Sequence, residues 1–323
     1  MLDFTLDEEQ RMLTDAIHRY AAERIRKTYR EADEAGTIPP EIIQAGWDIG
    51  VLPAAIPEQY GGFGDRYSSV TGVLAAEALA WGDLSIALNI LAPGAVAIPV
   101  LLAGTEVQKE TFLPLFCDVR LPHLTAALLE PLIQFDPRGL QSTAVRRGDT
   151  YSLNGRKCAV PLADTAETFL VYANENGQTQ AFLVPSGTDG LTVGERDKFM
   201  GLRALPTFGL TLADCHIPVE NKLGSENGID FGRILNHSRV TLAAAAVGVA
   251  RAGAEYAREY AKQRVQFGEP IAHRQSIAFM LAEMAIDVDA ARTMVWEAAW
   301  LLDQGRDATR EVTVMKHFVD EMV

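Results

Sequence analysis

Cysteine is scarce. Three occur, Cys117, Cys158 and Cys215, an odd number with no C-x-x-C pair among them. A disulfide framework and a zinc ribbon are thereby excluded, and a reducing, cytoplasmic setting is the simplest expectation. Basic charge is also in the minority: 29 Lys+Arg stand against 43 Asp+Glu, for a formal net charge of −14. Binding nucleic acid, or an anionic membrane, through bulk charge needs the opposite balance. An anionic small molecule is still admissible, through local Arg, Lys or helix N-termini. No low-complexity tract interrupts the 323 residues, 48% of them hydrophobic, and this excludes intrinsic disorder. The first ten residues are acidic and lack the apolar core of a secretory signal. The apolar stretch at 240–250, between Arg239 and Arg251, is too short to span a bilayer, so a soluble protein is expected.

Generic catalytic signatures are missing too. G-x-G-x-x-G, Walker A, H-E-x-x-H and G-x-S-x-G do not occur. The six histidines, at 18, 123, 216, 237, 273 and 317, show no metal-ligand spacing, so no metal is expected. Cys215 and His216 are adjacent on a strand and point to opposite faces. His237 and Asp136 could act as acid or base, but neither has a visible partner, and surface placement is expected for both.

What is present divides along the chain. Residues 1–122 read as an N-terminal helical domain. Thr5 with Glu8 has the form of a capping box, and Leu6, Leu13, Ile17, Tyr20, Ala21 and Ile25 recur at helical spacing. Pro39-Pro40 starts a second helix, residues 52–65 form a Pro/Gly-rich structured loop, and Thr105 with Gln108 repeats the cap. The period changes over 123–226. Short β-rich runs at 151–153, 168–172 and 180–184 alternate with turn residues at Asn154-Gly155 and 174–177, which predicts a central antiparallel β-barrel or sandwich. Residues 227–323 return to helix, over about 229–265, 274–304 and 307–323. Val312, Met315, Phe318 and Met322 make an apolar face on the third helix with no following partner, so this C-terminal helical bundle reads as incomplete, its face awaiting a partner subunit or further chain. The fold class is α+β, multidomain.

The most specific string is the helix junction at 263–271, Q-R-V-Q-F-G-E-P-I. Taken alone, it is a helix stop, with Gly268 as terminator, Phe267 packed in the hinge and Pro270 opening the next element.

In register along essentially the whole chain, these strings resemble the acyl-CoA dehydrogenases. The strings are F-T-L-D-E-E-Q at 4–10, I-P-E-Q-Y-G-G-F-G at 56–64, N-G-R-K at 154–157, M-G-L-R at 200–203, Arg239, the junction from Arg264 to Gly268, and L-A-E-M-A at 281–285. The resemblance implies a helical domain, a β domain and a helical bundle. It also implies FAD as cofactor and an acyl-CoA or related thioester as substrate, with a proton removed from Cα by a carboxylate base and hydride passing from Cβ to the flavin. It further implies an oligomer, dimer or tetramer, homo- or hetero-, in which the junction meets the FAD pyrophosphate of a neighbouring subunit. That role falls on Arg264, Gln266, Phe267 and Gly268, with Gln275 next in line, while Arg239 falls to the substrate. A guanidinium suits pyrophosphate because it can bind two oxygens at once.

The sequence also departs from the family. Where members carry T-E-P-x-A-G-S-D against the flavin ring, this chain has Leu129, Glu130, Pro131, Leu132, Ile133, Gln134, Phe135 and Asp136. Where they carry W-I-T-N, it has Ala159, Val160, Pro161 and Leu162, and Pro161 offers neither a hydroxyl nor an N–H. The resemblance identifies no catalytic base. The family's less common position in the first long helix is Ser238, and the usual one, in a Y-E-G-T stretch, lies beyond Val323. Two expectations follow. One is an acyl-CoA dehydrogenase-type flavoprotein, with FAD held normally, weakly, or only at a site shared with a partner. The other is a non-catalytic subunit that completes a neighbour's FAD site.

Overall fold

Asp7, not Thr5, caps the first helix. Its carboxylate accepts from the Gln10 N–H at 2.7 Å, and the Gln10 side chain accepts from the Asp7 N–H at 3.2 Å. The expected Thr5–Glu8 box is two residues early; Gln10 can reciprocate the same way, so spacing alone did not separate them. The computed structural model describes residues 5–323, and Phe4, which opens the 4–10 motif, lies outside them. Helix α1 (Glu8–Tyr20) passes through a π turn at Ala21–Ile25 into α2 (Arg26–Ala35). Ile17, Ala21 and Ile25 on the expected stripe are fully buried.

Helix α3 (Pro40–Trp47) opens with proline in its first turn, where no intrahelical donor is lost. Helices α4 (Ser69–Gly82), α5 (Leu84–Leu91), α6 (Gly94–Ala103) and α7 (Glu106–Phe112) follow. Thr105 and Gln108 form the expected reciprocal cap, at 3.2 and 3.0 Å. Among the described residues, the stretch Leu84–Ala103, not 240–250, is the apolar run long enough by composition to cross a membrane; its mean hydropathy is 2.2 and half of it is buried in the fold.

Strands β1 (Leu124–Ala127), β2 (Thr143–Arg147), β3 (Thr150–Pro161), β4 (Thr168–Glu175), β5 (Gln178–Pro185), β6 (Leu191–Arg196) and β7 (Thr207–Pro218) form one sheet, curled as half a barrel. The order is β1-β4-β2-β3-β7-β6, with β5 on β4. Pairing is mixed rather than antiparallel throughout, because β1 runs parallel to β4 and β2 meets β4 in parallel at Thr143 and Asn174. Alternate residues of the strands, among them Leu153, Phe169, Val171, Phe182, Phe208, Leu210 and Ile217, fill its core.

The turn at 174–177 lies where expected, joining β4 to β5 with Asn176 and Gly177 at φ 53° and 85°. Asn154-Gly155 is not a turn. Both residues lie inside β3, opposite a bulge in β7 where Asp214 takes φ 49° and its N–H donates to Asn154 Oδ1 at 2.8 Å.

Helix α8 (Phe231–Gln263) ends at a hairpin, β8 (Val265–Gln266) and β9 (Glu269–Pro270), followed by α9 (Gln275–Asp303) and α10 (Thr309–Met322). Of the apolar face expected on α10, Val312 and Met315 are fully buried where α10 packs on α9, as is Val319, while Phe318 and Met322 stay partly exposed. Exposed apolar side chains also sit on α9, at Phe279, Met280 and Ile286. The chain packs as two compact units. One comprises residues up to Tyr29, Ser68–Ala87 and Leu235–Val323; the other comprises Arg30–Tyr67 and Leu88–Ile234.

Candidate active site

In the sheet-bearing unit, the two stretches expected to face a flavin are laced together. Lys157 on β3 is buried, and its Nζ lies 2.8 Å from Glu130 Oε1 and 3.2 Å from the Leu128 carbonyl. Glu130 also accepts from the N–H groups of Gln141 and Ser142, at 2.7 and 2.9 Å. Burial works to raise the Glu130 carboxyl, but Lys157 and these backbone donors outweigh it and hold the group below its usual range. Burial pulls the Lys157 amine down, and Glu130 only partly offsets that. Sequence reasoning read both residues as members of motifs and missed the pair. The available signal was a lysine at an inward position of a strand, which demands a buried partner.

Beyond Lys157 the backbone is strained. The Cys158 N–H donates to the Leu129 carbonyl at 3.0 Å. Ala159 and Leu162 then take φ 51° and 55°, around a register shift between Lys157 and the buried Val160. Non-glycine residues rarely adopt such angles. Leu129 and Leu132 are exposed, and Ile133 fully so. The structure thus brings residues 129–131 beside 157–158.

In the helical unit, the junction after α8 is a hairpin rather than a plain helix stop. Phe267 and Gly268 occupy its turn at φ 53° and 87°, with Gln266 paired to Glu269. Phe267 is not packed in a hinge; its side chain is 93% exposed. The Arg274 guanidinium lies 5.7 Å from its ring and 3.1 Å from Glu269. Arg264, Gln266 and Gln275 are exposed too, and the Arg264 guanidinium has no hydrogen-bond or ion-pair partner among the described residues. The expected FAD contacts therefore share one outward-facing hairpin and the adjoining start of α9.

On α8, Ser238 is exposed and Arg239 half-buried, while the two preceding residues turn inward. His237 is buried with its Nδ1 3.2 Å from Ser69 Oγ, which corrects the expected surface placement. Asn236 donates to Thr309 Oγ1 at 3.0 Å. Asp136 is exposed, as expected, and accepts from the Arg138 N–H at 2.9 Å. Among the described residues no group of three His, Cys, Asp or Glu could hold a metal ion.

Fold and motifs together define the class. The family descriptions "Acyl-CoA dehydrogenase, N-terminal domain", "middle domain" and "C-terminal domain" match residues 7–120, 125–215 and 230–323. The chain belongs to the acyl-CoA dehydrogenase family. It is 35% identical to the probable acyl-CoA dehydrogenase YngJ of Bacillus subtilis, over 99% of this chain and 86% of that protein. Among solved structures, butyryl-CoA dehydrogenase from Megasphaera elsdenii matches with a TM-score of 0.89 and 32% identity, over 99% of this chain and 86% of the other. The FAD complex of PigA matches with the same TM-score at 27% identity, over 99% and 86%.

Proposed function

We propose that this chain is an FAD-dependent acyl-CoA dehydrogenase that desaturates the Cα–Cβ bond of an acyl-CoA thioester. The match of all three family domains along one continuous chain carries the reading. The chemistry of the residues present fits the cofactor in two respects. Arg264, exposed and without a partner among the described residues, suits a diphosphate. The apolar side chains of Leu129, Leu132 and Ile133, with the 159–162 segment, suit the face of a flavin ring. When bound, FAD supplies the acceptor for the hydride leaving Cβ.

The chain's own residues orient and hold. Arg264 grips the diphosphate, and Gln266, Phe267, Gly268 and Gln275 continue that contact. Their outward placement supports FAD completion across subunits, in a dimer or tetramer. Arg239 serves the thioester ligand. Ser238 cannot take the Cα proton near neutral pH, so the acceptor is another group. Neither wall segment carries a side-chain hydroxyl for the polar edge of the ring, which supports weaker FAD retention by the isolated chain.

Along the sequence we place the domain divisions at 122/123 and 226/227. Three free thiols, Cys117, Cys158 and Cys215, support a reducing cytoplasmic setting. Nothing in the comparisons favours a non-catalytic partner subunit.

The test is to incubate the FAD-loaded protein with short acyl-CoA thioesters and an artificial electron acceptor, and to weigh the CoA product. Loss of two hydrogen atoms is expected. Thioesters recovered unchanged across a range of acyl lengths would count against the reading.

A further inference from the structure

The Glu130–Lys157 pair has no part in holding the cofactor or the thioester directly, and it is costly to bury. Both side chains are almost wholly withdrawn from solvent. An apolar pair of equal volume commonly stabilises a core as well or better, so stability alone does not account for it. What an ion pair has and an apolar pair lacks is direction. Here one carboxylate gathers three stretches of chain: the turn after β1, the residues entering β2 and the middle of β3. Lys157 adds a bond to Leu128, and the next residue along, Cys158, bonds back to Leu129.

The strained segment starts at the residue after that lacing ends. Ala159 and Leu162 hold left-handed angles around Val160-Pro161, and the far end is fixed by the Leu162 N–H on the Pro206 carbonyl at 2.9 Å. Strain of this kind persists only where the surroundings over-determine it, and it collects at ligand-holding positions. We propose that Glu130 and Lys157 are a positioning pair, which locks the 129–131 turn against the strained 159–162 bulge so that the two present one preformed wall to the flavin ring. The inference rests on the FAD reading above. It assigns the pair no contact with the ring: it acts through the backbone it holds.

The experiment uses the full chain, with FAD as the probe. Lys157→Met combined with Glu130→Gln removes both charges and spares the fold a lone buried ion. Four quantities are read: the thermal midpoint without FAD, the affinity for FAD from fluorescence quenching, the fine structure of the bound flavin's visible band, and hydrogen exchange over 158–162 in the cofactor-free protein. Expected are a midpoint near that of the wild type, FAD binding weakened about tenfold or more, a featureless flavin band and faster exchange. A double variant that binds FAD with wild-type affinity and band shape overturns the inference and leaves the FAD reading intact. A wild-type chain that takes up no FAD overturns both.

If the double variant does not fold, Ala159→Gly keeps the pair and relieves the strain. It is expected to weaken FAD without lowering the midpoint, and unchanged FAD affinity again overturns the inference.

Discussion

The guanidinium of Arg292 closes on the buried carboxylate of Glu77, with Nε and Nη2 3.0 and 2.9 Å from Oε1, and Arg251 Nη1 reaches the same oxygen at 2.8 Å. Three helices, α4, α8 and α9, therefore share one acceptor. Glu77→Gln leaves two guanidiniums facing each other with no carboxylate between them. A loss of about 3 kcal/mol is expected, at the low end for a broken buried pair because both arginines keep some solvent contact. Urea denaturation measures it; a loss below about 1 kcal/mol would place the cluster with surface ion pairs.

His18 borders a cavity of about 380 Å³ beside this cluster, together with Leu74, Glu77, Arg251 and Arg292. Burial, and then the charge of Arg251, depress its affinity for a proton below the ordinary value of 6.5, against the opposing pull of Glu77, Asp15 and Glu255. The unfolded chain thus binds this proton at higher pH than the folded one. Stability contributed by the neutral ring is complete above pH 6.5 and is lost as pH falls from there toward the depressed folded-state value. His18→Gln is expected to flatten the stability profile just below that pH. An identical slope in the variant would assign it to other groups.

Gly248 on α8 lies so close to α4 that a Cβ there would meet the Glu77 carbonyl and sit 2.9 Å from the Trp81 nitrogen. Both are backbone atoms and cannot rotate away. Gly248→Ala is expected to destabilise by about 1–3 kcal/mol, although alanine favours a helix by about 1 kcal/mol over glycine. A raised thermal midpoint would show that the two helices are free to part.

Phe267 combines a left-handed backbone with an exposed ring, and neither helps the isolated chain. Phe267→Asn suits the turn better and is expected to leave stability unchanged or raise it by up to about 1 kcal/mol. FAD retention and assembly should both weaken. Paired calorimetry and sedimentation would expose the trade; wild-type assembly and FAD content in the variant would remove the hairpin from the site.

Much of the fold was legible because local chemistry decided it. The Thr105 cap, Pro40 at the start of α3, the 174–177 turn and the two long helices all follow from short-range preferences. Errors arose where a distant residue ruled. Asn-Gly at 154–155 has turn chemistry, yet its conformation is set by a bulge in β7 some 60 residues on. Periodicity shows an apolar face on α10 but not that α9 buries Val312 and Met315 while leaving Phe318 and Met322 partly exposed. His237 was placed at the surface for want of a partner, and its partner, Ser69, is 168 residues away.

The candidate site was legible as strings rather than as geometry. The junction motif singles out Arg264 to Gly268 as a string, but its hairpin form and the exposure of Phe267 needed coordinates. Glu130 and Lys157 are 27 residues apart, one an isolated charge in an apolar run and the other next to Arg156, and no spacing rule connects them.

The most direct measurement is the visible spectrum of the protein purified with added FAD, freed of excess and titrated anaerobically with acyl-CoA. The account predicts a bound-flavin band that bleaches as the thioester is added. A chain that emerges colourless, or a bound flavin that no acyl-CoA reduces, would contradict it.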